Sequence, residues 1–236
     1  MRIFSQMGYS TAETWAARLE GMAKPARMED IPSLPKNGWM PVGTVEFCLF
    51  AMDRQGIQRP EPIDYPPAIW SFEACGHRLG TVADLPSGWS PDKPCGLHVK
   101  PWQTKLPHDR WNPDTPVWVA NWHRFGPEYR VYVCHGEILG MARYDDWEMD
   151  DPDWPDLDLA KIRRMIDLYQ DAGAPAGYGL DVGISDQDGQ TFLVEVNDGW
   201  ALGYYPRGTC SAGDYLRLLR ERWGELVGNP RHDGLG

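Results

Sequence analysis

Two stretches decide how this chain folds: Gly179-Leu180-Asp181-Val182-Gly183-Ile184 and Thr191-Phe192-Leu193-Val194-Glu195-Val196-Asn197, joined through Asp186-Gln187-Asp188-Gly189-Gln190. Their apolar and β-branched content reads as the two strands of a hairpin, with Gly189 suited to positive φ in the turn. Side chains alternate along a strand, so Glu195 and Asn197 share one face while Phe192, Val194 and Val196 take the other. The loop length decides where Asp181 points. A two-residue loop places Asp181 opposite Val196, and a three-residue loop, Gln187 to Gly189, places it opposite Glu195. Only the second register collects Val182, Ile184, Val194 and Val196 on one face, and it is the expected one. It gathers Asp181, Glu195 and Asn197 into a patch of three oxygen donors. Two carboxylates and an amide have the chemistry of a Mg²⁺ site that leaves positions open for phosphates and water. The plain alternative is a polar sheet surface facing solvent.

Upstream, Tyr129-Arg130-Val131-Tyr132-Val133-Cys134 reads as another strand, which His135-Gly136 turns into Glu137–Tyr144. A two-residue turn there sets Arg130 opposite Met141 and brings Arg143 onto the Arg130 face, as a second cationic clamp or as a surface Arg facing the next segment. That segment, 144–158, holds eight acidic residues in fifteen and reads as a solvated loop. A helix is expected over 158–172, with Ile162, Met165, Ile166 and Tyr169 on its buried face and Gly173 stopping it. Another opens at Ser211-Ala212-Gly213-Asp214 and buries Tyr215, Leu218, Leu219 and Trp223. Residues 228–236 read as a loose tail.

The first ninety residues read as a mixed α/β region. Ser10-Thr11-Ala12-Glu13 opens a short helix with Trp15, Leu19 and Met22 at helical spacing. The run 41–51 resembles a buried strand, 53–67 is turn-rich, and 68–75 is a second helical patch. From Gly88, four prolines separate short strands that include Gly96-Leu97-His98-Val99-Lys100, and 116–122 is β-rich. The expected division is 1–90, 91–227 and 228–236.

Composition narrows the function. With 23 Lys+Arg against 34 Asp+Glu the formal charge is −11, which disfavours general attraction to nucleic acid. No apolar run approaches the ~20 residues of a membrane helix, and the first residues lack an apolar signal core, so a soluble, cytoplasmic protein is expected. Five widely spaced cysteines form no C-x-x-C pair and read as buried or half-buried free thiols. Cys75-Gly76-His77 and Cys95-x-x-His98 each offer two metal ligands without partners at useful spacing. Twelve scattered tryptophans fit core and cleft packing.

The residues resemble an ATP-grasp enzyme. Leu180-Asp181-Val182 with Leu193-Val194-Glu195-Val196-Asn197-Asp198-Gly199 is similar to the metal-binding hairpin of that superfamily. Glu128-Tyr129-Arg130-Val131-Tyr132-Val133 with Gly136-Glu137-Ile138-Leu139-Gly140 resembles the strand pair bearing its phosphate-binding Arg. Val99-Lys100-Pro101, followed by Lys105, resembles the first nucleotide-binding Lys and its loop. Gly43-Thr44-Val45-Glu46-Phe47, Asp64-Tyr65-Pro66 and Asn197 through Tyr204 resemble a small clade named for one Arg and two Lys. The likeness spans about residues 40–206. It departs after the second Lys, where Leu106-Pro107-His108-Asp109 replaces the clade's aromatic, Gly-containing loop.

The resemblance implies an α+β ATP-grasp fold, in which antiparallel sheets with flanking helices clamp a nucleotide behind a smaller mixed α/β N-terminal region. It implies ATP and Mg as cofactors. Lys100, Lys105, Glu128 and Arg130 would serve the nucleotide, with Lys100, Arg130 and Arg143 active in catalysis. Trp118, Val119, Ala120 and Asn121 would meet the adenine through a strand backbone and a stacking Trp. Asp181, Glu195 and Asn197 would hold the metal. The implied reaction joins a carboxylate, activated as an acylphosphate, to an amine or thiol. The substrates are unknown, with a peptide or protein among the candidates. A phosphotransferase and a non-catalytic ATP-bound assembly factor or binding module are the alternatives.

Overall fold

The computed structural model describes residues 1–9, 11–21, 23–90, 95–102, 108–145 and 154–228. The second Lys, Lys105, most of the acidic loop and the tail beyond Gly228 lie outside the described residues.

Three sheets succeed one another along the chain. Strands β1 (Arg2–Gln6), β2 (Ala23–Ala26) and β3 (Trp39–Val42) form a parallel sheet in the order β2-β1-β3. Strands β4 (Arg78–Thr81), β5 (Leu97–Pro101) and β6 (Pro116–Asn121) form an antiparallel sheet with β6 in the middle. Strands β7 (Phe125–Cys134), β8 (Glu137–Arg143), β9 (Gly177–Ser185) and β10 (Thr191–Asp198) form the third, in the order β10-β9-β7-β8. Because β4 precedes residue 90 yet pairs with β6, the expected division at 90 cuts through a sheet rather than between units.

The third sheet is covered on both faces. Helix α3 (Leu159–Asp171), capped by Asp158, lays Ile162, Met165, Ile166 and Tyr169 on Val131, Val133, Leu180, Val182, Leu193 and Val196. Each such side chain, fully buried, contributes about 1.5–3 kcal/mol. Helix α4 (Ala212–Leu226), capped by Ser211, packs on Tyr132 and Cys134 and reaches the parallel sheet, where the Trp223 indole donates to the Trp39 carbonyl at 3.0 Å. One apolar core therefore joins the N-terminal region to the third sheet.

Several expectations are corrected. The run 41–51 is not one strand: β3 ends at Val42, and helix α2 (Val45–Gln55) begins after Thr44, whose side chain accepts from Phe47 N–H. A continuous apolar run fits a buried strand or helix equally, and the cap decides here. The patch 68–75 is a 3₁₀ turn, Pro67–Phe72. Helix α1 (Ala12–Leu19) forms, but it buries Thr14, Ala16 and Ala17 and leaves Trp15 and Leu19 exposed. Small side chains let it lie close to the sheet. Cys95 is exposed rather than buried.

Two bulges determine which side chains share a face of the third sheet. In the hairpin, Asp181 pairs with Glu195 as expected, but the register shifts between Leu193 and Glu195. Leu193 and Val196 therefore both reach the α3 side, where Val194 was expected. Between β7 and β8 a second shift sets Arg130 opposite Ala142, not Met141. Arg143 falls opposite Tyr129, on the face away from Arg130.

Candidate active site

Strand β7 lies beside β9 with Arg130 directly opposite Asp181. The guanidinium grips the carboxylate with two bonds, Nε to Oδ1 at 2.8 Å and Nη2 to Oδ2 at 2.6 Å. Both residues are buried, Asp181 to 1 % exposure. Glycine makes the reach possible: a Cβ on Gly179 would stand 3.2 Å from Arg130 Cδ and Nε and 2.8 Å from Leu202 Cδ1. Tyr144 and Tyr205, mutually stacked, flank the guanidinium at 5.7 and 5.3 Å. The Tyr144 hydroxyl donates to Glu128 at 2.6 Å.

On the facing sheet, β5 projects Lys100 across to the hairpin. Its ammonium donates to Glu195 Oε2 and to Asp64 Oδ1, each at 2.8 Å. Asp64 also accepts from the Trp118 indole at 3.0 Å. Its carbonyl accepts from Val196 N–H at 2.8 Å, so the segment around Asp64 covers the open edge of β10. Tyr65 lies under the ammonium at 4.7 Å and stacks on His77, itself bonded to Glu73.

Asn197 joins the two halves. Its amide nitrogen donates to Asp181 Oδ2 and Glu195 Oε1, each at 2.9 Å. The three expected metal-site residues are thus assembled on one face. Two carboxylates and an amide, all hard oxygen donors, fit a Mg²⁺ ion. No group of three or more His, Cys, Asp or Glu suited to a metal occurs among the described residues, so Asn197 would have to complete this set.

Electrostatics divides the acids. Burial pushes the Asp181 carboxyl up to about 6 against the pull of Arg130. Burial also acts upward on Glu195, but the charge and hydrogen bond of Lys100, with Asn197 and Arg130, outweigh it and hold the carboxyl at about 2. Burial raises Glu128, with Asp145 and Glu195 adding to it against the Tyr144 bond. Lys100 is held above its ordinary range: burial opposes this, and the charges of Glu195, Tyr65 and Asp64 overcome it.

The structure thus brings together Lys100, Glu128, Arg130, Trp118, Asp181, Glu195 and Asn197. Arg143 stays outside this cluster, on the other face of β7–β8 and paired with Asp145 at 3.0 Å. The adenine expectation needs revision. Strand β6 is ladder-bound on both sides, and the N–H groups of Asn121 and Trp122 are also engaged, with Cys75 and Gly96 carbonyls. The backbone of Val119, Ala120 and Asn121 therefore has little left for a base. Trp118 is packed edge-on against Tyr65 rather than laid open for stacking. Asp64 and Tyr65 were not anticipated as site residues. Their only signal was the Asp64-Tyr65-Pro66 motif, since nothing in local spacing carries them to β10.

A family model described as ATP-grasp domain, R2K clade family 3, matches residues 19–226. The chain belongs to that family. This ATP-grasp domain is similar in fold to D-alanine–D-alanine ligase from Bacillus anthracis complexed with ATP, with TM-score 0.51 and 15 % identity over 94 % of this chain and 97 % of the other. It is also similar to macrocyclase MdnC bound with precursor peptide MdnA from Microcystis aeruginosa MRC, with TM-score 0.50 and 10 % identity over 93 % and 100 % of the two chains. No curated protein matches it. Antiparallel sheets with flanking helices behind a mixed N-terminal region are thus the ATP-grasp fold, as the sequence motifs implied. No helix among the described residues is long and apolar enough to cross a membrane.

Proposed function

We propose that this ATP-grasp domain is an ATP- and Mg²⁺-dependent ligase that activates a carboxylate as an acylphosphate for attack by an amine or thiol. The observation that carries the reading is the Lys100–Glu195 and Arg130–Asp181 cluster, in which a cation from each antiparallel sheet meets the hard-oxygen set of the hairpin. The D-alanine–D-alanine ligase and the macrocyclase act in ligation or cyclisation by their names, which agrees with the reading.

In the first step a carboxylate oxygen bonds to the γ-phosphorus as the bridging oxygen bond breaks and ADP leaves. The amine nitrogen or thiol sulfur then bonds to the acyl carbon, gives up its proton, and phosphate departs. Bringing a carboxylate to a triphosphate sets anion against anion. Mg²⁺, held by Asp181, Glu195 and Asn197, would screen that repulsion. Arg130, whose Nε–Nη2 edge grips Asp181, would meet phosphoryl oxygens through Nη1, which has only a 3.5 Å contact with the Gly203 carbonyl, and Lys100 would neutralise charge passing to ADP. Tyr144 and Tyr205 keep water from the Arg130 side, which strengthens these interactions.

Hydroxylamine tests the chemistry. With ATP and a panel of carboxylates, including peptides, a ligase yields hydroxamate and ADP. A phosphorylated product that resists hydroxylamine would identify a phosphotransferase instead. Tight ATP retention without ADP release for any acceptor would favour a binding module.

A further inference from the structure

Lys100 and Arg130, the two groups the proposed function assigns to phosphate, are both held by carboxylates the same reading assigns to the cation. The sharing is most open to test at Lys100, because Glu195 is half-exposed with 30 % of its side chain accessible, whereas Asp181 is sealed. Among the described residues the ammonium has two counter-ions at the same distance of 2.8 Å, but they differ in how they are anchored. Asp64 is fixed on three sides: its second oxygen accepts the Trp118 indole, its carbonyl accepts Val196 N–H, and its backbone holds a φ of 45°, unusual for a residue with a side chain. Among the described residues Glu195 has only Lys100 and the Asn197 amide as side-chain partners, and both belong to the ligand-binding set.

We propose that Glu195 is an internal competitor for Lys100: without a divalent cation it occupies the ammonium and weakens phosphate binding, and when it turns to a cation it releases Lys100, which Asp64 keeps in place. Asp64 is then a positioning residue, and cation and nucleotide binding are linked through one ion pair. The proposal rests on the nucleotide-site reading of the proposed function. It differs from simple bridging of phosphates by Mg²⁺, because it assigns a cost to the cation-free state that lies in the protein itself.

The sign of one variant decides. Glu195→Gln removes the competing charge while keeping an acceptor, so it should bind ATP in EDTA more tightly than the unaltered protein, by at least about fivefold, with a smaller gain on adding Mg²⁺. Tryptophan fluorescence titration reads this without turnover, and thermal unfolding checks the fold. Glu195→Ala serves as the second variant should the amide repack. Relief of general repulsion would raise affinity even without Lys100, so the same change is made in Lys100→Met, where no gain is expected. A gain that persists in Lys100→Met, or equal or weaker EDTA binding in both Glu195 variants, overturns the proposal while leaving Mg²⁺-dependent binding by the unaltered chain standing. If neither the unaltered chain nor the variants bind ATP with or without Mg²⁺, the nucleotide-site reading and this proposal both fall.

Discussion

At Asp181 and Arg130 the proposed binding role falls on the same residues as a buried ion pair that holds two strands together. Removing one partner of a buried, bidentate pair leaves the other charged and dry, at a cost of about 3–5 kcal/mol. Arg130→Ala and Asp181→Ala should each lower stability by about that amount in urea unfolding, so neither isolates a binding role. Asn197→Ala is cleaner: it should abolish Mg²⁺-ATP turnover while the unfolding midpoint moves by less than the pair variants move it. Normal turnover in Asn197→Ala would remove the amide from the proposed metal set. Glu195 adds a dependence on pH. Its carboxyl sits at about 2 in the fold against 4.5 for the free group, so its charge stabilises the fold above about pH 4.5, and that contribution is lost as pH falls towards 2. Glu195→Gln should therefore differ most from the unaltered chain at neutral pH and least near pH 2.5, by denaturant midpoint. A gap that stays constant across this window would contradict the ion pair.

Elements were legible in proportion to how local their signals are. Helix α4 follows from Ser211 and its apolar stripe, and the N–H of Asp214 does bond the Ser211 hydroxyl at 3.1 Å. Ser211→Ala should cost about 0.5–2 kcal/mol in unfolding free energy. Likewise Ile166→Ala on α3 should cost about 2–5 kcal/mol, because its site is closed by the strands beneath. No measurable loss in Ile166→Ala would contradict the packing. The hairpin's site face was legible from alternation and loop length, yet the bulge at Val194 was not: one extra residue changes register without any composition signal. The same reason hid the true face of Arg143. For α2, the helix cap at Thr44 and the left-handed Gly56 that ends it, with φ of 67°, outweighed an apolar run that fits a strand as well.

At the scale of the molecule, the site is a seam. Lys100 comes from one antiparallel sheet, Glu195 and Arg130 from another, and Asp64 from the segment that leaves the N-terminal region and covers the edge of β10. Motif order along the chain could indicate the family, but no sequence period reports that Asp64, 131 positions before Glu195, ends on the same ammonium. Long-range closure of this kind depends on packing rather than on propensity. The surrounding anchors are equally distant: Arg222 on α4 grips Asp198, the residue after Asn197, with two bonds of 2.7 Å, and Gly199 lies so close to the Gly177 carbonyl that an added Cβ would stand 2.4 Å from it. The hairpin that carries the site oxygens is thus held at its end by the last helix.

Everything proposed for this chain depends on a nucleotide site built on Lys100, and calorimetric titration of ATP into the protein, with and without Mg²⁺, probes that site without assuming a substrate. The expected result is binding that Mg²⁺ strengthens and that Lys100→Ala weakens to a low but measurable residual affinity, with the fold unchanged by thermal unfolding. Absence of binding under both conditions, or undiminished Mg²⁺-ATP binding in Lys100→Ala, would contradict it.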